Sequence, residues 1–430
     1  MAMTELPASE RSRRNLQPDL MIDLSRRMAS DSYDAQKNPT GIVDLGSALN
    51  DLMLDEMESW AKRRAPLRSI RRRKRPKVPW EMASRPCWTH SHLNLADAGD
   101  IILLPTPTYG MFQHDTTARN GVRLVHVPCD DIPDARFGDV TTNLGPGSPT
   151  SELARRVSRT IEKEVVNGHT VSALILSNPE NPMGRSYSKN VLREVAEVCS
   201  RAGVHVVVDE IYALTGGPSF SSALSLDLGH NIANNAHVLW GMSKDFGLVG
   251  SGIGFLFTDN SELYQAMRTC SMFTWVSSFS ASFSAQLLSD QSFISDSFIP
   301  KLLKRLSWER QRMGEMLKRH GVQFHVPNAG FFIFINLSER ASHFNDREKS
   351  CELALLEFLI DRRVFLEPGK AFFSQVPGWF RLNYGSEATQ VGLNRLFSAL
   401  QELDGDVKLE NKRISDMEPS EKWEKFLCFS

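Results

Sequence analysis

Val171-Ser172-Ala173-Leu174-Ile175-Leu176 and Val204-His205-Val206-Val207-Val208-Asp209-Glu210-Ile211-Tyr212 are the stretches whose reading decides the fold. Each contains a short, nearly continuous apolar run, the signature of a strand buried on both faces. Between them, Val191 to Ala202 reads as an amphipathic helix. Further out, Ile101 to Leu104, Val122 to Val127, His237 to Trp240 and Ile253 to Phe257 predict more short strands. Leu153, Val157, Ile161 and Val165 recur every four residues, giving a helix face capped by Ser148-Pro149. Short apolar strands alternating with amphipathic helices make an α/β fold around a mainly parallel sheet.

The pattern then changes. A long helix is expected from Ile299 to His320, followed by strands at Val322 to Val326, Phe331 to Leu337 and Trp379 to Leu382. Cys351 to Asp361 and Val391 to Leu403 read as helices. This predicts a smaller α+β domain packed on the first. The expected organisation is an N-terminal arm over 1–45, a large domain over 46–310 and a small domain over 311–403 that the arm helps to build. A charged tail follows over 404–430. Residues 1–40 read as a polar, irregular lead-in, and Leu52 to Trp60 as a short helix.

Composition narrows the function. The chain has 430 residues, with 41% apolar and 23% charged, ordinary for a globular protein rather than a disordered chain or fibre. Lys and Arg number 50 against 51 Asp and Glu, so no basic excess grips nucleic acid or an anionic membrane. Six scattered cysteines form no CxxC pair and no zinc-type spacing. No run approaches a membrane span, and Met1 to Leu20 lacks an apolar leader core. A cytoplasmic protein is expected. The one charge run, Arg68, Arg71, Arg72, Arg73, Lys74, Arg75 and Lys77, reads as a solvated loop or as a localisation or anion-binding segment.

Four clusters carry chemistry, most of them at strand ends, where open α/β sheets place ligands. Ser177-Asn178-Pro179-Glu180-Asn181-Pro182-Met183-Gly184 is a tight loop. Asp209 ends a buried strand, which is costly unless the carboxylate is paired; a helix cap or an ion pair would serve. Lys244, in Ser243-Lys244-Asp245-Phe246-Gly247-Leu248, is a surface lysine or a nucleophilic amine. Arg381, in Pro377-Gly378-Trp379-Phe380-Arg381, can offer a planar fork to a carboxylate or stack at a sheet edge.

Taken together and in this order, the clusters resemble the fold-type I pyridoxal-phosphate (PLP) enzymes, aminotransferase class I/II. Within that family they are similar to the 1-aminocyclopropane-1-carboxylate (ACC) synthase-like branch. Asn38-Pro39-Thr40-Gly41-Ile42-Val43, Gly46, Asn50, Leu104-Pro105-Thr106-Pro107-Thr108-Tyr109 and Asp209-Glu210-Ile211-Tyr212 carry the branch-level likeness, with the Lys244 and Arg381 clusters. The resemblance covers residues 30–62 and 93–403. It implies a PLP-dependent transferase fold and a homodimer. It also implies that Lys244 holds PLP as a Schiff base and that Asp209 pairs with the pyridinium nitrogen. Tyr212 and Asn181 would bond the ring's phenolic oxygen, Tyr109 would stack on the ring, and Arg381 would bind the substrate carboxylate, with Asn181 beside it. Ser243 is a further candidate cofactor contact. The implied substrates are an α-amino acid and a keto acid. The implied activity is transamination; carbon–sulfur lyase or ACC synthase-like elimination are alternatives, as is a catalytically impaired descendant.

Departures from the family cluster on the PLP phosphate. The phosphate-binding turn should fall near Ser84-Arg85-Pro86-Cys87-Trp88-Thr89, where Pro86 and Trp88 suit it poorly. The Arg expected eight residues after Lys244 is Gly252, and the hydroxyl expected three before it is Gly241. Residues 63–92 are compositionally foreign to the family, through divergence or through a shifted frame or misplaced exon. Leu49 stands where the synthases carry a Glu beside the substrate.

Overall fold

The computed structural model describes residues 20–63, 81–82, 94–132, 151–271, 276–344 and 350–415. The basic run, Ser84–Thr89 and Ser148-Pro149 lie outside them.

A seven-stranded sheet has the order β2-β8-β7-β6-β5-β3-β4. Its strands are β2 (Glu81–Met82), β3 (Ile101–Thr106), β4 (Arg123–Pro128), β5 (Val171–Ser177), β6 (His205–Asp209), β7 (Ala236–Gly241) and β8 (Gly254–Thr258). The pairs from β4 through β7 are parallel; β8 runs antiparallel to β7, and β2 to β8. Alternate residues explain the layering. Ile101, Leu103, Leu174, Leu176, Val206 and Val208 face one side. There they meet Val157 and Ile161 of helix Glu152–Val166 and Val191, Val195 and Cys199 of helix Lys189–Arg201. Ile102, Leu104, Ala173 and Ile175 face the other side and meet Phe112. Each large aliphatic side chain buried this way contributes about 1.5–3 kcal/mol. His205, which opens β6, meets His237 Nε2 at 3.0 Å, and His237 Nδ1 meets Thr258 Oγ1 at 2.8 Å. Burial pushes His237 down to about 3, which keeps it neutral.

The second unit packs a four-stranded antiparallel sheet, β12-β13-β10-β9, against helices. Its strands are β9 (Gln323–Phe324), β10 (Phe332–Asn336), β12 (Glu367–Pro368) and β13 (Trp379–Asn383). The lead-in residues belong to this unit: β1 (Val43–Asp44) pairs in parallel with β11 (Val364–Phe365). Helix Ile299–Arg319 spans the join, burying Leu302, Leu306, Met313 and Leu317 on one face.

Three expectations change. The lead-in is not irregular throughout: Leu20–Ser30 is a helix burying Leu24 and Met28, four residues apart. The cap of helix Glu152–Val166 is Ser151, whose Oγ accepts from Ala154 N at 3.3 Å. The last helix runs from Thr389 to Ser415, so it enters the range read as a charged tail. Leu393, Leu396, Leu400 and Leu403 are buried along it, and no proline in residues 404–415 stops the helix there.

Candidate functional site

Four loops at the carboxyl ends of β3, β5, β6 and β7 carry the candidates Tyr109, Asn181, Asp209 with Tyr212, and Lys244. The chain reverses its direction across the sheet between β3 and β5, the position where such sheets open a crevice. Arg381 comes from the second unit, on β13, and closes the crevice from the other side.

Arg381 is 2% exposed and its guanidinium is fully oriented. Nε and Nη2 donate to Gly46 O at 3.0 and 2.6 Å, and Nη1 donates to Asn181 Oδ1 at 2.7 Å. Phe372 and Phe332 lie against its face at 4.7 and 5.5 Å, and Glu367 Oε2 is 3.9 Å from Nη2. Held on three bonds in a dry setting, the fork keeps two N–H groups for a planar anion.

Lys244 sits in the single helical turn Met242–Asp245 that follows β7, and Nζ donates to Ala48 O at 2.7 Å. Burial, with the Arg381 charge nearby, pulls its amine down to about 8, against the opposing pull of Asp209. Asp209 ends β6, buried, with Oδ1 accepting from Ile211 N at 3.0 Å. Burial raises its carboxyl to about 7, and Glu210 adds to the rise. Among the described residues Asp209 has no ion-pair partner within 4 Å. Tyr212 is buried edge-on against Phe331 and Phe332. Burial raises its phenol and the Arg381 charge opposes the rise. Tyr109 is half-buried, edge-on to Phe112 at 5.3 Å. Ser243, beside Lys244, is half-buried, and among the described residues no hydrogen bond ties it to the other candidates.

Two features escape a reading of side-chain motifs. The first is a strap, Gly46 to Asn50, crossing the crevice. Its carbonyls at Gly46 and Ala48 bind Arg381 and Lys244, and those at Ser47 and Leu49 accept from Asn383 Nδ2 at 2.7 and 2.9 Å. Asn50 Nδ2 donates to Lys244 O at 2.9 Å. The second is a buried knot inside the Asn181 loop. Arg185 Nε meets Glu180 Oε2 at 2.8 Å, and Tyr187 OH donates to Glu180 Oε1 at 2.7 Å. Glu180 and Arg185, five residues apart in a Pro-rich loop, were the available signal.

The residues present fit one half of a PLP molecule well. A buried carboxyl without a cation suits a pyridinium nitrogen, and an amine with a depressed pKa suits an aldehyde. A phenol and an amide suit a phenolic oxygen. The described residues offer the phosphate half much less: Gly252 has φ +64° and open space where a side chain would stand.

The sequence pattern of the aminotransferase class I and II family matches residues 90–400. The ACC synthase-like protein 1 of Mus musculus is 28% identical, over 90% of this chain and 80% of its own. ACC synthase 2 of Solanum lycopersicum is 26% identical, over 92% and 86%. Among solved structures, aspartate aminotransferase from Thermus thermophilus with maleate has a TM-score of 0.69 at 19% identity, over 92% of this chain and 100% of that one. That likeness speaks for the fold. Among the described residues no helix is long and apolar enough to cross a membrane, and no cluster of His, Cys, Asp or Glu could hold a metal ion.

Proposed function

Because this chain belongs to the aminotransferase class I and II family, we propose that it is a PLP-dependent enzyme that moves the α-proton of an amino acid, with transamination as its reaction. The observation that carries this is the convergence of Lys244, Asp209 and the Arg381–Asn181 pair on one crevice. PLP, when bound, supplies an electron sink for the charge that develops at the α-carbon. Everything else falls to the chain. Arg381 binds the α-carboxylate and fixes which bond at the α-carbon faces Lys244. The Lys244 amine, partly unprotonated near neutral pH, takes the α-proton as general base and returns it. Asp209 holds a proton on the ring nitrogen; a cation there draws its carboxyl back toward the ionised form. Tyr212 and Asn181 orient the ring. The relatives named as ACC synthases keep elimination in view, but Leu49, 41% exposed on the strap, offers no carboxylate to a cationic substrate group.

The homodimer belongs to this proposal. Leu49, Leu54 and Val249, 41%, 36% and 53% exposed, sit on the strap, at the start of helix Leu54–Arg63 and in the turn after Lys244, an apolar rim that a second copy would cover. A strictly monomeric species in light scattering would count against it.

The test is reductive trapping. The chain is incubated with PLP, reduced with borohydride and mapped by peptide mass spectrometry. A pyridoxyl group on Lys244, absent in Lys244→Ala, is expected. No adduct at saturating PLP sinks the reading. Keto-acid formation that requires a keto-acid acceptor, against thiol and ammonia release without one, then separates transamination from elimination.

A further inference from the structure

The loop after β7 reads Ser243-Lys244-Asp245-Phe246-Gly247-Leu248-Val249-Gly250-Ser251-Gly252-Ile253. Its one cation is Lys244, whose amine already donates to Ala48 O. A Cβ built on Gly252 or Gly250 meets nothing within 4 Å among the described residues, so none of these fills the space beside this end of the loop. Gly241 is the opposite case: a Cβ there would stand 2.9 Å from Ile253 O and 3.0 Å from Ile211 Cδ1. The β7 and β8 backbones have closed on the place where a hydroxyl-bearing side chain would point. The Ser251 hydroxyl donates to Leu248 O at 2.8 Å, which commits its proton to the turn. A phosphate monoester brings about −1.5 to −2 charges and is held by charge-assisted donors. Among the described residues the loop after β7 offers it a glycine run and no cation beyond Lys244. The groups for the ring end, by contrast, are all in place.

We propose that this chain grips its cofactor by the ring end, through Lys244, Asp209, Tyr212 and Asn181, and takes the unphosphorylated aldehyde, pyridoxal, about as well as its 5′-phosphate. This rests on the reading of Lys244 given above. The consequence is a site that discriminates weakly between phosphorylated and free forms of a pyridine aldehyde.

The experiment is a pair of binding titrations of the full chain, with PLP and with pyridoxal, followed by protein fluorescence and absorbance. The signal from Lys244→Ala is subtracted to remove reaction at surface lysines. A ratio of dissociation constants within about tenfold is expected, the span left by one ordinary hydrogen bond. PLP tighter by more than tenfold overturns the inference while leaving the Lys244 reading intact. Saturable binding of neither compound overturns both. Gly252→Arg provides a gain-of-affinity check that needs no activity. It is expected to tighten PLP by at least tenfold and leave pyridoxal unchanged. An equal effect on both compounds, or on neither, refutes the placement of the phosphate end.

Discussion

Lys244→Met should make the cofactor-free chain more stable at neutral pH. The amine sits near 8 in the folded chain against an ordinary 10.5, held down by burial and by Arg381. A base with a lowered folded pKa binds fewer protons folded than unfolded, so stability rises with pH between the two values. Below pH 8 Lys244 is protonated in both states and the folded state bears the whole penalty. The 2.5-unit difference corresponds to about 3 kcal/mol. Methionine has a similar length and no charge, so it removes the penalty. It also removes the bond to Ala48 O, which offsets about 1 kcal/mol. The variant should therefore gain about 2 kcal/mol at pH 7. The gain should shrink from pH 8 upward and be gone, or reversed, by about pH 10.5. Denaturant unfolding of both proteins at pH 6.5, 7.5, 9 and 10 measures it. A variant less stable than wild type at pH 7, or a gap that does not change with pH, refutes the argument that Lys244 is held against its charge.

Arg381→Lys loses the planar fork and one or two charge-assisted bonds, so an α-methyl amino acid, which carries no α-proton to react, should bind PLP-loaded protein about 10–100-fold more weakly by spectral titration. Unchanged affinity would remove Arg381 from the carboxylate site. Arg185→Met leaves the Glu180 carboxylate buried and unpaired, and should cost about 3–5 kcal/mol in denaturant unfolding; Glu180→Gln in the same chain should recover much of it, and a loss under about 1 kcal/mol for the single variant would show the knot to be dispensable. Asp245 is held up to about 8, chiefly by burial, so wild type loses stability as pH climbs from about 4 to 8. Asp245→Asn should abolish that loss, its stability relative to wild type rising across the same window; a flat difference would contradict it.

The sheet was legible because both of its faces are buried. Val206, Val207 and Val208 had to be apolar without alternation, and the boundaries of β3 to β8 fall within two residues of those read from the sequence. The candidates Lys244, Asp209, Tyr212 and Asn181 were legible for a related reason: each ends or follows a buried strand, where a polar residue stands out. The strap was not legible in the same way. Its contribution to Arg381 and Lys244 is made by the carbonyls of Gly46 and Ala48, which every residue type possesses. The helix Leu20–Ser30 was hidden because its apolar residues Leu20, Met21, Ile22 and Leu24 crowd the first turns and Met28 alone repeats the buried position four residues on, too short a stripe to read as a period. The Glu180–Arg185–Tyr187 knot was visible as residues but not as a contact, because Asn-Pro turns give no helical or strand spacing from which to infer that two charges meet.

The strap also sets a schedule for the birth of the protein. Gly46 is synthesised early, yet the guanidinium that its carbonyl receives lies 335 residues further along the chain. The backbone N–H groups of Val43, Leu45 and Asp51 likewise donate to the carbonyls of Arg363, Phe365 and Gly385. At about 5–20 residues per second the ribosome takes on the order of tens of seconds to cover that distance. The seven-stranded sheet can form in the interval, while the segment that will cross its crevice has only the Lys244 turn to hold. Entropy permits so wide a loop, because closure cost grows only with the logarithm of length. Long-range pairing is slow, however, and leaves unpaired backbone exposed meanwhile. The crevice is therefore the last part of the molecule to be completed. A nascent or truncated chain that stops short of Asn383 would carry Lys244 and Asp209 on a formed sheet, without the clasp that turns them into a site.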